Sequence, residues 1–294
     1  MAEEIDVVVV GAGQAGLSVS HELTHAGVDH VVLERDQVAA SWRGRWDSFC
    51  LVTPNDTARL PGGEYAGADP RGFLPRDGVV AYLERYAAGF DAPVRSGVQV
   101  RSLRQAADGT LTLGTDDGTI TARAVVAATG AFQPPHRPAW VAALPSRLAV
   151  LDARDYHNPG TLPAGAVLVV GSGQTGCQIA EELHLAGRDV ILACGCAPWV
   201  PRQLEGRDIF YWFLKTRFME MSVSSCPLRR PGCWRIPRPP GSRAATISTT
   251  ARSRRSGSTW SDECTAWTAT RRSSPTIWTI RWRSVMPATP TFGP

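Results

Sequence analysis

The chain has 294 residues, of which 43% are apolar, and this suffices for one large or two ordinary domains with a sizeable core. No apolar run approaches the ~20 residues that cross a bilayer. The start MAEEID lacks the basic residues of a signal peptide, and seven Cys without a paired framework suit a reducing compartment. We therefore expect a cytoplasmic protein without membrane partners. The net charge of +4 is uneven, because residues 227–294 hold twelve Arg, no Lys and two acids, which leaves −6 on residues 1–226.

The first elements in chain order form a strand–helix–strand unit. Residues 5–10 are a continuous Val-rich run that is too short for a helix, which predicts a strand buried on both faces of a parallel sheet. Residues 15–26 have the apolar spacing of a helix that ends at Gly27. Residues 30–33 predict the second strand.

A helix and a meander follow in the sequence. The stretch VVAYLERYAAGF at 79–90 predicts an amphipathic helix. Residues 98–104, 110–113 and 119–126 alternate apolar and polar and are separated by Asp-Gly turns, which predicts an antiparallel meander. The chain then runs apolar into Gly130, and PPHRP follows as a linker. A second strand–helix–strand unit begins at Ala166, so it is inserted after the meander.

A glycine-rich turn joins strand and helix in the first unit. Gly11 permits the tight turn, Gly13 lets a diphosphate approach the backbone, and Gly16 lets helix and strand pack closely. The amides at the helix start offer hydrogen bonds and partial positive charge to the phosphates. Glu34, at the end of the second strand, is placed to accept both hydroxyls of an adenosine ribose. The residues predicted to bind this nucleotide are Gly11, Gly13, Gln14, Ala15, Gly16 and Glu34.

A second glycine turn, GSGQTG at 171–176, repeats this pattern between another strand and helix. Where the first unit has Glu34, the second has Ala193, so no carboxylate would repel the 2′-phosphate of NADP. Two arginines nearby in the sequence favour NADP over NAD, although each could equally be a solvated surface charge. The residues predicted to bind this nucleotide are Gly171, Ser172, Gly173, Gln174, Thr175, Gly176, Arg188 and Arg202.

One acidic and one non-acidic site predict two different dinucleotides, FAD first and NADPH second, so that a hydride can pass between their rings. The fold class is therefore α/β, with two Rossmann-like dinucleotide-binding domains, the NADP domain being inserted into the FAD domain. We place the N-terminal part of the FAD domain at residues 1–160, an incomplete NAD(P) domain at 161–226, and a disordered or non-native tail at 227–294. The residues indicate no catalytic triad and no metal site.

Several longer stretches occur in order on the expected elements: SWRGRWDSFCLVTPN, GFLPRDGVVAYLERYA, VVAATGAFQPP and GSGQTGCQIAEELHLAGRDV. On these motifs, residues 5 to about 225 resemble the class B flavoprotein monooxygenases, the flavin-containing monooxygenase-like family. The stretch LDARDY departs from the family fingerprint, which has a His where Asp152 stands. The resemblance is therefore closer to bacterial FAD- and NAD(P)-binding oxidoreductases of this fold.

The resemblance implies further site residues. Ser41 and Trp42 would lie along the flavin, and Thr129 and Gly130 would sit where the chain crosses between the two domains. Asn55 would be the catalytic residue near the flavin C4a position. From the residues alone, Trp42 could instead be a packing aromatic, and Asn55 could make an Asx-turn.

The resemblance also implies a reaction. NADPH would reduce FAD, O2 would add at C4a to give a hydroperoxide, and one oxygen would pass to a small soft nucleophile or a ketone, with water kept out. Two alternatives stay open: an inactive fragment of such an enzyme, and a flavin-linked NAD(P)H reductase with another acceptor. The absence of a CxxC pair weighs against a disulfide acceptor. The expected partners are a small-molecule substrate and O2, with no nucleic acid.

The tail has a composition unlike the rest of the chain. Residues 229–294 contain no Leu but five of the ten Trp and many Arg, Pro, Ser and Thr, which do not bury enough apolar surface to offset chain ordering. Read one base earlier, the codons of residues 243–253 permit RGHDLNYRTL, and those around residues 258–268 permit VDLVGRVHGVDG. We hypothesise a frameshift between about Ser222 and Pro231. The alternative is a basic arm that binds nucleic acid.

Overall fold

The computed structural model describes residues 3–131, 135–194 and 202–222, together with the backbone of 266–271 and 278–283. Contacts between Cα atoms divide the chain into two compact units, Met1–His157 and Asn158–Pro294. Among the residues that the structure describes, no helix combines the length and the apolar character that a membrane crossing needs.

The first unit is built on a six-stranded mixed sheet. The described strands of the whole unit, including two outside this sheet, are β1 (Glu3–Val10), β2 (His30–Glu34), β3 (Arg59–Leu60), β4 (Gly63–Glu64), β5 (Val94–Ser96), β6 (Val100–Gln105), β7 (Leu111–Thr115) and β8 (Gly118–Ala127). Its helices are α1 (Gln14–His25), α2 (Ala40–Arg43) and α3 (Arg76–Gly89), and short 3-10 helices lie at Asn55–Thr57 and Ala139–Ala143. The strand order in the large sheet is β5-β2-β1-β8-β7-β6, and β3 and β4 form a separate hairpin.

The apolar run of β1 lies at the centre of this sheet, as the sequence predicts. It pairs in parallel with β2 on one side and with β8 on the other. Because successive side chains point to opposite faces, the strand contributes to two cores. Val9 packs with Leu17 and Leu83, from α1 and α3, while Val8 packs on the other face with Leu33 and Leu113.

The predicted meander is present as β6, β7 and β8, which pair antiparallel. Gly109 and Gly118 occupy the two turns with φ of +90° and +128°, a backbone region that side-chain-bearing residues rarely adopt. Strand β8 is long enough to serve two neighbours, β7 in antiparallel and β1 in parallel pairing. Its carboxyl end therefore lies beside the carboxyl end of β1.

The second unit repeats the strand–helix–strand arrangement on a smaller scale. Its elements are β9 (Val167–Val170), α4 (Gln174–Leu185), β10 (Val190–Ala193), β11 (Gln203–Leu204), β12 (Arg207–Asp208), α5 (Ile209–Lys215), β13 (Ala266–Arg271) and β14 (Trp278–Arg283), with short 3-10 helices at Pro159–Thr161 and Phe218–Glu220. Strands β9 and β10 pair in parallel. Helix α4 covers one face of the pair with Cys177, Ile179, Ala180 and Leu183 buried.

The described part of the tail differs from the expectation of low order. Strands β13 and β14 pair antiparallel, with Trp267 opposite Trp282. Both segments contain Trp and Thr, and β14 also contains Ile, all of which favour strands, so local propensity forms a hairpin even where the composition as a whole predicts none. The remaining residues of 227–294 lie outside the described part of the chain.

Candidate dinucleotide-binding sites

The first glycine turn occupies the corner between β1 and α1. Gly11 has a φ of +108°, and a Cβ added there would lie 2.5 Å from the carbonyl oxygen of Ala128. A Cβ at Gly16 would lie only 1.8 Å from the carbonyl oxygen of Gly11. Close backbone approach thus requires glycine at both positions, which is the reason inferred from the sequence for the tight turn and the helix packing.

Gly13 differs from Gly11 and Gly16 because there is free space beside its Cα. A Cβ added there would have no heavy atom within 4 Å. Gly13 is the N-cap of α1 with a φ of −91°, and no side chain caps the helix start. Gln14 and Ala15 follow it and are exposed. The first amides of α1 therefore face open space, which fits a diphosphate at the helix start.

Glu34 is held at the end of β2 with both carboxylate oxygens engaged. Oε2 accepts a hydrogen bond from the amide of Ala12 at 2.8 Å, and Oε1 accepts one from the amide of Asp36 at 3.1 Å. The residue is 8% exposed. A carboxylate offers about four acceptor positions, so Glu34 keeps acceptor capacity for a ribose while it also fixes the glycine turn.

Helix α2 is attached to the same turn through its backbone. Ala39, with a φ of +64°, donates its amide to the carbonyl oxygen of Ala12 at 3.1 Å. Ser41 on α2 is exposed, and Trp42 is half-buried with its ring centroid 5.7 Å from that of Phe49. The predicted position of Ser41 and Trp42 is therefore beside the nucleotide turn, although Trp42 also packs against an aromatic neighbour.

Thr129 and Gly130 follow β8 and lie beside the first glycine turn. The amide of Ala128 donates to the carbonyl oxygen of Val10 at 2.9 Å. The Cα of Thr129 is 3.5 Å from the position of a Cβ at Gly11. Both Thr129 and Gly130 are exposed, and Gly130 has a φ of +89°. The structure thus brings together two predicted segments that are more than a hundred residues apart in the sequence.

Asn55 is 4% exposed and begins a 3-10 helix. Its side-chain nitrogen donates to the carbonyl oxygen of Asp69 at 2.9 Å, and its carbonyl oxygen Oδ1 is buried without a hydrogen-bond partner among the described residues. The Asx-turn alternative is wrong, because the amide of Thr57 donates to the carbonyl oxygen of Pro54. Buried carbonyl groups are normally paired, so this unpartnered acceptor fits a missing ligand.

The second glycine turn has the geometry of the first. Gly171 has a φ of +109°, and a Cβ at Gly176 would lie 2.0 Å from the carbonyl oxygen of Gly171. Gly173 is the N-cap of α4 with a φ of −73°, no side-chain cap and no heavy atom within 4 Å of an added Cβ. Of the other predicted residues, Ser172 is buried, Gln174 is exposed and Thr175 is half-buried.

Arg188 does not reach the second glycine turn, and its assignment to the 2′-phosphate is corrected. It precedes β10, whereas the turn follows the carboxyl end of the parallel strand β9, so the two lie at opposite ends of the pair. The guanidinium of Arg188 donates to the carbonyl oxygens of Pro159, Pro163 and Gly165, at 3.3 Å for Pro159 and 2.9 Å for Gly165. Arg188 is close to the glycine turn in sequence but not in space, because it lies at the amino end of β10 and the turn lies at the carboxyl end of the parallel strand β9.

Arg202 is engaged with its own neighbours. Its Nη2 lies 2.6 Å from Oδ2 of Asp208, the side chain is 12% exposed, and the guanidinium lies 5.8 Å from the ring centroid of Phe210. A phosphate contact by Arg202 stays a prediction. Ala193 ends β10, as predicted, and leaves this position without a carboxylate.

Two buried thiols lie near the second turn. Desolvation raises the pKa of Cys177 to about 11, and burial also raises the pKa of Cys194. The Sγ of Cys177 donates to the carbonyl oxygen of Ser172 at 3.5 Å. Both groups are therefore protonated at neutral pH, which disfavours thiolate chemistry. In the described ranges, no group of three or more His, Cys, Asp or Glu is suited to a metal ion.

Comparison with known proteins decides the family. A family model described as "Pyridine nucleotide-disulphide oxidoreductase" matches residues 8–213. The chain belongs to this family. This agrees with the predicted α/β fold and with an oxidoreductase that uses a pyridine nucleotide.

Individual relatives and structural neighbours include monooxygenases, one of them flavin-containing. An uncharacterized CzcO-like oxidoreductase of Geobacillus kaustophilus is 36% identical over 227 residues, covering 76% of this chain and 64% of that protein. A probable indole-3-pyruvate monooxygenase, YUCCA3 of Arabidopsis thaliana, is 30% identical over 218 residues, covering 69% of this chain and 49% of that protein. The structure of a flavin-containing monooxygenase from Stenotrophomonas maltophilia is similar with a TM-score of 0.61 and 25% identity, covering 72% of this chain and 64% of that one.

These findings confirm the predicted resemblance to flavin monooxygenases and the predicted pair of a flavin and a pyridine nucleotide as cofactors. This chain spans 64% of the length of the Geobacillus relative. The sequence reasoning missed the backbone contacts of Ala12, Ala39 and Ala128, which hold Glu34, α2 and β8 against the first turn. No side-chain motif reveals them, and only the register of β1 with β8 would have indicated the contact of Ala128.

Proposed function

We propose that the protein is an FAD-dependent, NADPH-using monooxygenase-like oxidoreductase that oxygenates a small soft nucleophile or a ketone. The observation that carries the proposal is the repeated corner between strand and helix. Each copy has an open middle glycine and a helix start without a side-chain cap. The Arabidopsis and Stenotrophomonas proteins are described as monooxygenases, which supports the choice of an oxygenation reaction.

In the first unit, the residues around Gly13 are assigned to FAD. The amides of Gln14 and Ala15 would bind the diphosphate, and the spare acceptor positions of Glu34 would bind the ribose. Ser41 and Trp42 would line the path toward the flavin ring. The carboxylate of Glu34 accepts a hydrogen bond from the amide of Ala12, and the amide of Ala39, at the start of α2, donates to the carbonyl oxygen of Ala12, so the nucleotide would meet a preformed site.

In the second unit, the open space at Gly173 is assigned to the nicotinamide nucleotide. The amides that follow Gly173 would bind its diphosphate, with Ser172, Gln174 and Thr175 around them. Ala193 at the end of β10 removes the carboxylate that would repel a 2′-phosphate, which favours NADP over NAD.

A bound flavin that NADPH has reduced supplies the electrons with which O2 is activated. The chain's own contribution is to hold the nucleotides and to exclude water from the reacting ring. Asn55 is the residue assigned to this ring, because its buried Oδ1 is an acceptor without a partner among the described residues. Its side-chain nitrogen is fixed by the carbonyl of Asp69, so the acceptor would keep one orientation.

We further propose that the protein works in the cytoplasm on a small molecule and O2, without nucleic acid or membrane partners. Among the described residues, the buried cysteines Cys50, Cys177 and Cys194 are free thiols, which supports a compartment in which cysteines stay reduced. They also disfavour the reductase alternative in its disulfide form. The fragment alternative is supported by one specific observation, the exposed apolar face of β9, which bears Leu168 and Val170.

The proposal is tested on the purified full chain. We expect a yellow protein that absorbs at about 450 nm, consumes NADPH with a matching uptake of O2, and converts a thioether or ketone probe to its oxygenated product. Yellow protein that oxidises NADPH without an oxygenated product would instead establish the reductase. Colourless protein after incubation with FAD would establish the inactive fragment.

A further inference from the structure

Asn55 lies in a segment whose backbone is fixed by contacts within the chain. The amide of Asn55 donates to the carbonyl oxygen of Gly72 at 2.9 Å. Residues 69–72 read Asp-Pro-Arg-Gly, an order that favours a type I turn, and the amide of Gly72 donates to the carbonyl oxygen of Asp69 at 3.2 Å. This turn holds the carbonyl of Asp69 against the side chain of Asn55.

The side-chain amide of Asn55 has acceptors of the protein for both of its hydrogens. Its Nδ2 donates to the carbonyl oxygen of Asp69 at 2.9 Å and to the hydroxyl oxygen of Tyr65 at 3.4 Å. A side-chain amide has two N–H donors and one carbonyl acceptor. Oδ1 is therefore the only polar atom of this side chain that is left for a ligand, and it is buried without a hydrogen-bond partner among the described residues.

The ring of Tyr65 reaches Asn55 because Gly67 leaves space for it. A Cβ added at Gly67 would lie 2.1 Å from the hydroxyl oxygen of Tyr65 and 2.3 Å from its Cζ. Gly67 is not among the glycines with a positive φ, so its contribution here is space rather than backbone freedom. The hydroxyl of Tyr65 makes no other hydrogen bond with the described residues. The contact with Asn55 is thus its one polar task in this part of the chain.

Two acceptors constrain the side-chain amide more than one does. With Asp69 alone, the second hydrogen of Nδ2 would be a buried donor without a partner, which is costly. The side chain would turn to relieve this cost, and Oδ1 would change its direction. Because Oδ1 only accepts hydrogen bonds, the ligand atom that meets it must carry a hydrogen. An N–H of a flavin ring satisfies this condition, whereas a ring carbonyl does not.

We propose that Tyr65 is a positioning residue for Asn55. It accepts the second amide hydrogen and so leaves the acceptor Oδ1 as the only atom of Asn55 that binds the ligand. The ligand group at this position is then a hydrogen-bond donor, an N–H of the flavin ring. The inference rests on the proposed function for the identity of the ligand, whereas the contact between Tyr65 and Asn55 does not depend on it.

The composition of the chain allows Asn55 to be observed directly. Asn55 and Asn158 are the only two asparagines, so isotopically labelled asparagine gives two side-chain NH2 groups in an NMR spectrum of the full chain. Without FAD, we expect Tyr65→Phe to shift one amide hydrogen of Asn55 and to speed its exchange with water about fivefold, because its acceptor is lost. The signals of Asn158, whose Oδ1 accepts from the amide of Gly160 at 3.0 Å, should not change.

Equilibrium dialysis with FAD tests the consequence for the ligand. Tyr65→Phe should bind FAD about fivefold more weakly than wild type, the usual effect of one hydrogen bond. Gly67→Ala should act like Tyr65→Phe in both measurements, because its methyl group displaces the hydroxyl of Tyr65. Tyr86→Phe is the matched control, since the hydroxyl of Tyr86 donates to the carbonyl oxygen of Pro61 at 2.7 Å, in the hairpin that precedes Tyr65. It should lower stability and leave the Asn55 signals and FAD binding unchanged.

The two measurements separate the failure of this inference from the failure of the proposed function. Unchanged Asn55 signals in Tyr65→Phe would overturn the inference, and so would FAD binding by Tyr65→Phe that equals that of wild type. Equal losses in Tyr86→Phe would also overturn it, because they would show a general loosening of the segment. A wild-type chain that binds no FAD would overturn the proposed function and the flavin as ligand, while the spectra without FAD would still decide whether Tyr65 holds Asn55.

Discussion

At the scale of single residues, the three glycines of each turn have different physical tasks. Gly11 and Gly16 are required by backbone approach inside the protein, whereas Gly13 leaves space outside it. Glu34 links these tasks. Its carboxylate accepts a hydrogen bond from the amide of Ala12, and we propose that its remaining acceptor positions bind a ribose. The residue is thus structural, and as proposed it also binds the ribose.

Glu34→Gln tests the structural part of this role. The substitution keeps an acceptor for Ala12 but places an NH2 group opposite the amide of Asp36, so two donors face each other. We expect the first unit to lose about 1–3 kcal/mol of unfolding free energy, the usual cost of an unpaired buried donor. Urea denaturation checks this, with Glu84→Gln on the exposed face of α3 as the control. Equal midpoints for Glu34→Gln and wild type would contradict the account.

At the scale of elements, the sequence was sufficient to predict a helix or strand wherever a single pattern of apolar residues ran along it. The continuous run of β1, the alternation in β6 to β8 and the helical spacing of α1 and α4 were predicted correctly. Helix α2 and strand β5 were not predicted, because both are short and are stabilised by backbone contacts with distant segments. The position of Arg188 was predicted wrongly for a related reason. Which end of β10 lies beside the glycine turn depends on how the strands pair in the sheet, and the sequence near Arg188 does not show this.

Cys177, a buried residue of helix α4, makes the free energy of unfolding depend on pH. The folded pKa of this thiol, about 11, lies above its usual value of 9.0 because burial disfavours the thiolate. Its contribution to stability is therefore fully present below pH 9 and is lost as pH rises toward 11. Tyr82 and Tyr86, with raised pKa values, add to this loss.

Chemical denaturation between neutral and alkaline pH measures this loss. Wild type should become less stable across this interval, and Cys177→Ala should show a shallower decline from a lower starting stability, because the side chain no longer titrates but leaves a cavity. Parallel curves for the two proteins would contradict the assignment of the raised pKa to burial of Cys177.

At the scale of the whole molecule, two copies of one corner differ in completeness. The first is surrounded by β2, β8 and α2, and the second has β10 and an open outer edge on β9. The family, the cofactor pair and the fold class were accessible from sequence because they depend on local motifs. The open edge of β9 required coordinates, since it is seen in the pairing of β9 with β10 alone among the described strands and in the exposure of Leu168 and Val170.

The most direct test of the central claim is FAD binding by equilibrium dialysis to wild type, Gly13→Ala and Gly173→Ala. Both glycines have φ values that alanine adopts, −91° and −73°, and an added Cβ meets no protein atom within 4 Å, so both variants should fold. The account predicts that Gly13→Ala weakens FAD binding at least about tenfold, because the methyl group occupies the space of the diphosphate, and that Gly173→Ala binds FAD like wild type. Undiminished binding by Gly13→Ala, or an equal loss in both variants, would contradict it.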